Sequence, residues 1–226
     1  MSKTTHIICI LDRSGSMGRM TEEVISNFNN FISEQKELEG KAKLTLVIFD
    51  DKYELIYDEA NLQKTRPLTS EQFYARGMTA MNDAIGRTLT NKMNKKRAIV
   101  LIHTDGQENA STEYSSHAVK NLVDNKKGKW EFIFAGANID ARSTGMNYGF
   151  NNNVQTSITR KGLHDSYQVF NATTACYRAG NDVSDIINTP NVAEAIEPLS
   201  PVDLSNLTKG LDPAAVDMAR KIVTEK

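Results

Sequence analysis

The chain has 226 residues, room for one domain with an appendage and a sizeable core, but short for two full domains. Its 27 basic and 28 acidic side chains leave a net charge of −1, which excludes a global field drawing the protein to nucleic acid or to an anionic membrane. No apolar run approaches the ~20 residues needed to span a bilayer, and no internal repeat or low-complexity tract is visible.

His6 to Leu11 predicts a strand buried on both faces, because Ile7, Ile8, Cys9, Ile10 and Leu11 follow one another without alternation. Only Met1 to Thr5 precede it, which leaves no room for a secretory leader. A helix follows over about Arg19 to Leu38, with Val24, Ile25, Phe28, Phe31 and Ile32 on one stripe. Gly40 breaks it, and Leu44 to Phe49 forms the next strand. Asp50-Asp51-Lys52 reads as a turn, and Tyr53 to Tyr57 as a short run returning antiparallel to form an edge strand. Thr65 to Tyr74 is expected to be loop with a short helix. Thr79 to about Met93 is helical, with Met81, Ile85, Thr88 and Leu89 inward. Arg97 to Ile102 supplies a central strand. A helix over about Thr112 to Asn125 turns Ala118, Val119, Leu122 and Val123 inward. Trp130 to Ala135 is a strand, Ala141 to Tyr148 a short helix, and Val154 to Ile158 a last edge strand. The helix from Leu163 to about Ala179 carries Leu163, Tyr167, Phe170, Thr174 and Tyr177 on one side. Alternating strand and helix predict a doubly wound α/β fold: a mostly parallel sheet with one antiparallel edge strand and helices on both faces.

Beyond Gly180 the composition changes, and four of the five prolines, Pro190, Pro198, Pro201 and Pro213, lie there. Residues 181–226 are expected to be a tail with short helices. The last begins with Asp212 as N-cap and Pro213 at the first helical position. Its apolar stripe, Val216, Ala219, Ile222 and Val223, docks on the parent domain, on a partner protein or on a second copy. The two cysteines, Cys9 and Cys176, lack C-x-x-C or metal spacing and read as reduced core thiols, which fits a cytoplasmic protein.

Three stretches carry the chemistry. Asp12-Arg13-Ser14-Gly15-Ser16-Met17 puts a carboxylate and two hydroxyls at alternate positions where the chain leaves a strand, so that all three can point at one spot above the sheet edge. Hard oxygen donors without His or Cys suit Mg²⁺ or Mn²⁺ better than zinc, with Ca²⁺ a third candidate. Arg76-Gly77-Met78-Thr79-Ala80-Met81 precedes a helical run, and Ile102-His103-Thr104-Asp105-Gly106 ends a strand. Ligands of a doubly wound sheet bind at the carboxyl ends of its strands, so Asp12 and Asp105 are expected to meet there.

Together the three stretches resemble the von Willebrand factor A (VWA) domain family and its metal-ion-dependent adhesion site (MIDAS). The family's pattern is D-x-S-x-S, then a Thr after a Gly-rich turn, then an Asp in a T-D-G context. The resemblance covers about residues 5–180 and gives 1–180 as a VWA-like domain. It implies that Ser14, Ser16 and Thr79 offer hydroxyl oxygens to the metal while Asp12 and Asp105 act largely through bound water. It also implies an open coordination position that accepts an acidic side chain of a protein partner. The chain departs from the family's usual Gly-Gly-Thr-Pro turn, with Met78 before the threonine and Ala80 after it, a bulkier loop that bears on access to the metal. Glu108, shortly past Asp105, either orients the metal's ligands from behind or is a solvated loop residue.

Arg13, Arg19, Arg76 and Arg142 all fall in loops or helix starts expected at this edge. They are either an electropositive rim steering an acidic surface or a phosphate to the metal, or four exposed arginines. The turn over Ser14–Gly18 into a helix adds backbone donors for an anion. The expected function is therefore a metal-dependent protein-binding module, an adaptor or scaffold without catalysis. The first rival is a metal-dependent phosphate- or nucleotide-binding protein or hydrolase on the same cage, with Glu108 and His103 as its only base candidates. Neither G-x-S-x-G nor G-x-x-x-x-G-K-[ST] occurs. A nucleic-acid module using Lys92 to Arg97 and Lys126 to Lys129 is disfavoured. Both runs end helices just before strands, where cations complement the helix dipole, and paired aromatics for base stacking are absent. A metal-free scaffold is the third rival. His103 at a strand end and His117 on an exposed helix read as structural.

Overall fold

The unbroken apolar runs become the middle of a six-stranded sheet. The computed structural model describes residues 4–137, 139–150, 152–157, 159–181 and 183. The chain runs β1 (Thr5–Asp12), α1 (Thr21–Glu37), β2 (Ala42–Phe49), β3 (Tyr53–Asn61), α2 (Met81–Lys92), β4 (Ala98–Thr104), α3 (Ser116–Asp124), β5 (Trp130–Ala137), α4 (Ala141–Asn147), β6 (Asn152–Thr156) and α5 (Arg160–Ala179). Strand order is β3-β2-β1-β4-β5-β6, with every neighbouring pair parallel except β2 with β3. All residues of β4 are buried, as its unalternating sequence requires of a strand covered on both faces.

Successive residues divide between two layers. Ile7, Cys9 and Leu11 of β1, with Ile99 and Leu101 of β4, meet Phe28 and Phe31 of α1 and Tyr167 and Phe170 of α5. Ile8, Ile10, Val100 and Ile102 meet Ile85 and Leu89 of α2, Val119 and Val123 of α3 and Ala141 of α4. Each aromatic or branched side chain so enclosed contributes about 1.5–3 kcal/mol relative to exposure.

Several boundaries differ from the sequence reading for identifiable reasons. The first helix opens as a 3₁₀ segment over Gly15–Met20, and α1 proper starts at Thr21. α3 starts at Ser116 instead of Thr112, because the backbone N–H groups of Thr112, Glu113 and Tyr114 donate to the Asp83 carboxylate and hold that stretch out of the helix. α5 starts at Arg160, ahead of Leu163, since Thr159 accepts from the Gly162 N–H as an N-cap. It ends at Gly180, whose φ of 90° gives the left-handed turn that closes a helix. The segment 65–74 forms a turn at 70–72 and no helix.

β3 is longer than expected and irregular. Its pairing with β2 slips between Leu44 and Val47, and Glu59 takes a φ of 51°. Lys92 ion-pairs with Asp58 and, at 3.3 Å, with Glu59, while Lys95 reaches Glu59 at 2.6 Å. Lys126 donates to the Met93 carbonyl at 2.5 Å, just past the carboxyl end of α2, and lies over the Trp130 ring. Members of both lysine runs are thus engaged in closing the amino edge of the sheet. The tail prolines and the Asp212 to Val223 helix lie outside the described residues.

Phe134 is fully buried and stacks on Phe150 with ring centroids 5.8 Å apart. Phe134→Ala is expected to cost about 3–5 kcal/mol, seen as a lower urea midpoint at unchanged slope.

Candidate metal centre

The chain leaves β1 toward β2 on one side and returns to β4 on the other, so the strand order, though not the strand direction, reverses between β1 and β4. Leu11 lies opposite His103, which brings Asp12, the last residue of β1, beside Thr104, the last of β4. Thr104 Oγ1 donates to Asp12 Oδ2 at 2.5 Å, and the Ser14 N–H donates to Asp12 Oδ1 at 2.6 Å, bending the chain back over the strand end. Ser16 Oγ donates to Asp105 Oδ1 at 2.6 Å and lies 3.1 Å from Ser14 Oγ. A Cβ at Gly106 would stand 2.8 Å from Thr79 Oγ1 and 3.6 Å from Asp12 Oδ2, so the Thr79 hydroxyl also faces this spot and residue 106 has no room for a side chain. Asp12, Ser14, Ser16, Thr79 and Asp105 come together from three loops.

Thr79 is held through its backbone. Its N–H donates to Asn109 Oδ1 at 2.9 Å, and the Asn109 N–H donates to its carbonyl at 3.0 Å. Glu108 does not turn toward Asp105. Its carboxylate accepts from the N–H groups of Asn82, Ala110 and Ser111 and from Ser111 Oγ, at 2.7–3.0 Å, and so caps the start of α2. Sequence reasoning missed the roles of Thr104 and Asn109. Thr104 stood within the motif, whereas Asn109 gives no local signal.

The electrostatics favour a cation. Asp12 is 0 % exposed, and burial, with Asp105 adding to it, pushes its pKa up to about 6 against the pull of the Thr104 and Ser14 hydrogen bonds. Burial also raises the Asp105 pKa, partly offset by Ser16. Asp105 Oδ2 is buried and has no hydrogen-bond partner among the described residues. Two enclosed carboxylates with an orphaned oxygen, ringed by three hydroxyls, fit a hard divalent cation held by oxygen. Among the described residues no group of three or more His, Cys, Asp or Glu side chains is placed to hold a metal ion, and the candidate donors here are two carboxylates and three hydroxyls.

The arginines divide. Arg13 is buried: its Nε donates to Asp50 Oδ2 at 3.0 Å, its Nη2 to Glu54 Oε1 at 2.5 Å, and its Nη1 to the Gln72 carbonyl at 3.0 Å. Arg76 pairs with the same two acids at 2.6 and 2.8 Å. Neither is the free rim charge expected from sequence, because Asp50 at the end of β2 and Glu54 on β3 compensate them. Arg19 and Arg142 are exposed and make no ion pair among the described residues. The backbone donors expected for an anion are also engaged internally, Ser14 N–H on Asp12 and Gly15 N–H on the Gly77 carbonyl at 3.2 Å. His103 packs against Tyr167 with ring centroids 5.8 Å apart, and burial holds its pKa down at about 4. His117 is exposed on α3.

Because the Asp12 pKa is higher in the folded chain than its ordinary 3.8, the folded state binds the proton more tightly, and the stability this group contributes falls as pH rises from about 4 through about 6. Asp12→Asn keeps an acceptor for the Ser14 N–H and can donate to Thr104. In chelator it is expected to stabilise the protein by about 3 kcal/mol near neutral pH and by little near pH 4, as read from thermal melts of parent and variant.

The sequence matches no protein-family model and no curated protein. Solved structures do resemble it. Proximal thread matrix protein 1 from the mussel byssus is 17% identical, with a TM-score of 0.54 over 74% of this chain and 44% of that one. The same mussel protein with a zinc-occupied MIDAS motif gives 18% identity and a TM-score of 0.50 over 74% of this chain and 45% of that one. A von Willebrand factor type A protein from Catenulispora acidiphila is 16% identical, with a TM-score of 0.52 over 76% of this chain and 43% of that one. The vWF domain of the type V pili tip protein Mfa5 from Porphyromonas gingivalis is 11% identical, with a TM-score of 0.59 over 77% of this chain and 96% of that one. The chain spans less than half the length of the mussel and Catenulispora proteins. By strand order, helix layers and these likenesses, the chain has the von Willebrand factor A fold.

Proposed function

We propose that the protein is a metal-dependent protein-binding module. Asp12, Ser14, Ser16, Thr79 and Asp105 hold a divalent cation, Mg²⁺ or Mn²⁺ by the hardness of the donors, with Ca²⁺ a weaker candidate. The observation that carries the reading is the orphaned, buried Oδ2 of Asp105 beside the raised carboxyl of Asp12. A cation held there supplies an electrophilic position for an acidic side chain of a partner. The zinc in the mussel protein's MIDAS supports a divalent site on this fold.

The chain's own residues define the approach. Ser16 and Met78 are exposed at the mouth, Met78 directly before Thr79, so a partner meets an apolar contact next to the cation. Arg19 and Arg142 remain as exposed charges at the same edge. The candidate bases for a hydrolytic reading are engaged elsewhere, Glu108 as a helix cap and His103 against Tyr167, which favours binding over turnover. The buried thiols Cys9 and Cys176 suit the cytoplasmic setting that this reading assumes.

Calorimetric titration of metal-stripped protein tests the reading. One Mg²⁺ or Mn²⁺ site is expected, abolished by Asp12→Ala and weakened by Thr79→Ala, with about 2.7 kcal/mol of added stability at a hundred times the dissociation constant. Protein capture should then require the cation and fail with both chelator and Asp12→Ala; capture indifferent to either would reject a metal-dependent module.

A further inference from the structure

The residue that joins two of the three loops of the candidate site, the Ser14–Ser16 loop and the loop before Thr79, is Asp50, which belongs to neither. It follows β2, is fully buried, and grips both loops at once. Its Oδ2 accepts from Arg13 Nε at 3.0 Å, on the residue between Asp12 and Ser14, and from Arg76 Nε at 2.6 Å, shortly before Thr79. Its carbonyl accepts the N–H of Ala80, the residue after Thr79, at 2.9 Å, and its Oδ1 is fixed by the Lys52 N–H at 2.7 Å.

Further contacts tighten the same junction. Glu54 Oε1 accepts from both guanidinium groups, at 2.5 Å from Arg13 and 2.8 Å from Arg76. Both guanidinium carbons stand 5.2 Å from the Tyr74 ring centroid. The loops also bond directly, Arg76 N–H to the Arg13 carbonyl at 2.9 Å and Gly15 N–H to the Gly77 carbonyl at 3.2 Å. Gly77, with a φ of 68°, lies so close to Asp51 Oδ1 that a side chain there would collide with it. The cluster holds two cations and two anions, so it adds little net field to the neighbouring site. What it adds is geometry, because planar guanidinium forks on carboxylates fix direction as well as distance.

We propose that Asp50, Arg13 and Arg76 are positioning residues that set the spacing between the Ser14–Ser16 loop and Thr79, and that this fixed spacing makes the site prefer Mg²⁺ to Ca²⁺. The proposal rests on the cation reading above. Mg²⁺ demands a near-ideal octahedron at about 2.0–2.1 Å, whereas Ca²⁺ tolerates looser shells at about 2.3–2.6 Å. A loop pair released from Asp50 can still adapt around the larger ion but no longer presents the short distances that the smaller one needs.

The test uses the full chain as parent, Asp50→Asn and Arg76→Gln, the latter at a one-third exposed side chain whose loss is tolerable to the fold. Each is titrated with Mg²⁺ and with Ca²⁺, and amide exchange of Gly15, Arg76 and Ala80 is followed in chelator. Mg²⁺ affinity is expected to fall about 10- to 100-fold in the variants while Ca²⁺ affinity stays within about threefold. The three amides should exchange faster even without cation. Equal losses for both ions would leave the cluster merely structural and overturn the selectivity role. Unchanged amide protection would remove the clamp itself, whatever the cations do. A parent that binds neither ion would reject the cation reading and the proposal with it, an outcome visible before any variant is compared.

Discussion

Two carboxylates enclosed at the reversal point of the sheet are the constraint around which this edge of the molecule is arranged. Asp12 ends β1 and Asp105 directly follows the adjacent parallel β4, so the sheet itself brings like charges together and removes them from water. Such a pair is costly unless something positive or protonated answers it. The nearest guanidinium in sequence, Arg13, is turned away and neutralised by Asp50 and Glu54. The guanidinium next to the pair in sequence therefore does not quench it.

Everything around the pair is used to hold oxygen atoms in position. Backbone donors that would otherwise offer an anion site bend inward, onto Asp12 and onto the Gly77 carbonyl. Glu108 and Asn109 tie the third loop to the start of α2 and to Thr79. Asp50 ties the second loop to the first. Three connecting segments, the first running into the 3₁₀ turn at Gly15–Met20, are therefore tied to one another through side chain and main chain together. A site on loops gains the precision of a site on strands when its backbone hydrogen bonds are so completely assigned.

The fold was legible because its strands are unalternating. Ile7 to Leu11 and Ala98 to Ile102 can only be buried on both faces, which forces helices above and below and orders the rest. Asp12 and Asp105 were legible for a related reason, since strand ends mark one edge of such a sheet, and Ser14 and Ser16 by their alternation with Asp12, whereas Thr79 was reached through the resemblance to the VWA motif. What a linear reading missed depends on side-chain direction. Arg13 and Arg76 sit at the right edge by topology, yet point into the Asp50 and Glu54 pair, and nothing local to either arginine reveals a partner so far along the chain. Glu108 stood near Asp105 in sequence but serves the amides of α2, a destination visible only once α2 is placed. The start of α3 failed for the same cause, as Asp83 holds amides that propensity alone assigns to a helix.

The irregular edge at β3 bears on how this protein meets others. A sheet with an open, flat edge strand invites a second chain to add to it by backbone pairing, and with it the risk of end-to-end polymerisation. Here the slip in pairing with β2, the left-handed Glu59 and the ion-paired acids Glu54, Asp58 and Glu59 spoil that template along the strand. Strand addition is discouraged at this border, and a copy of the chain can crowd its neighbours without being zipped into a fibre along β3.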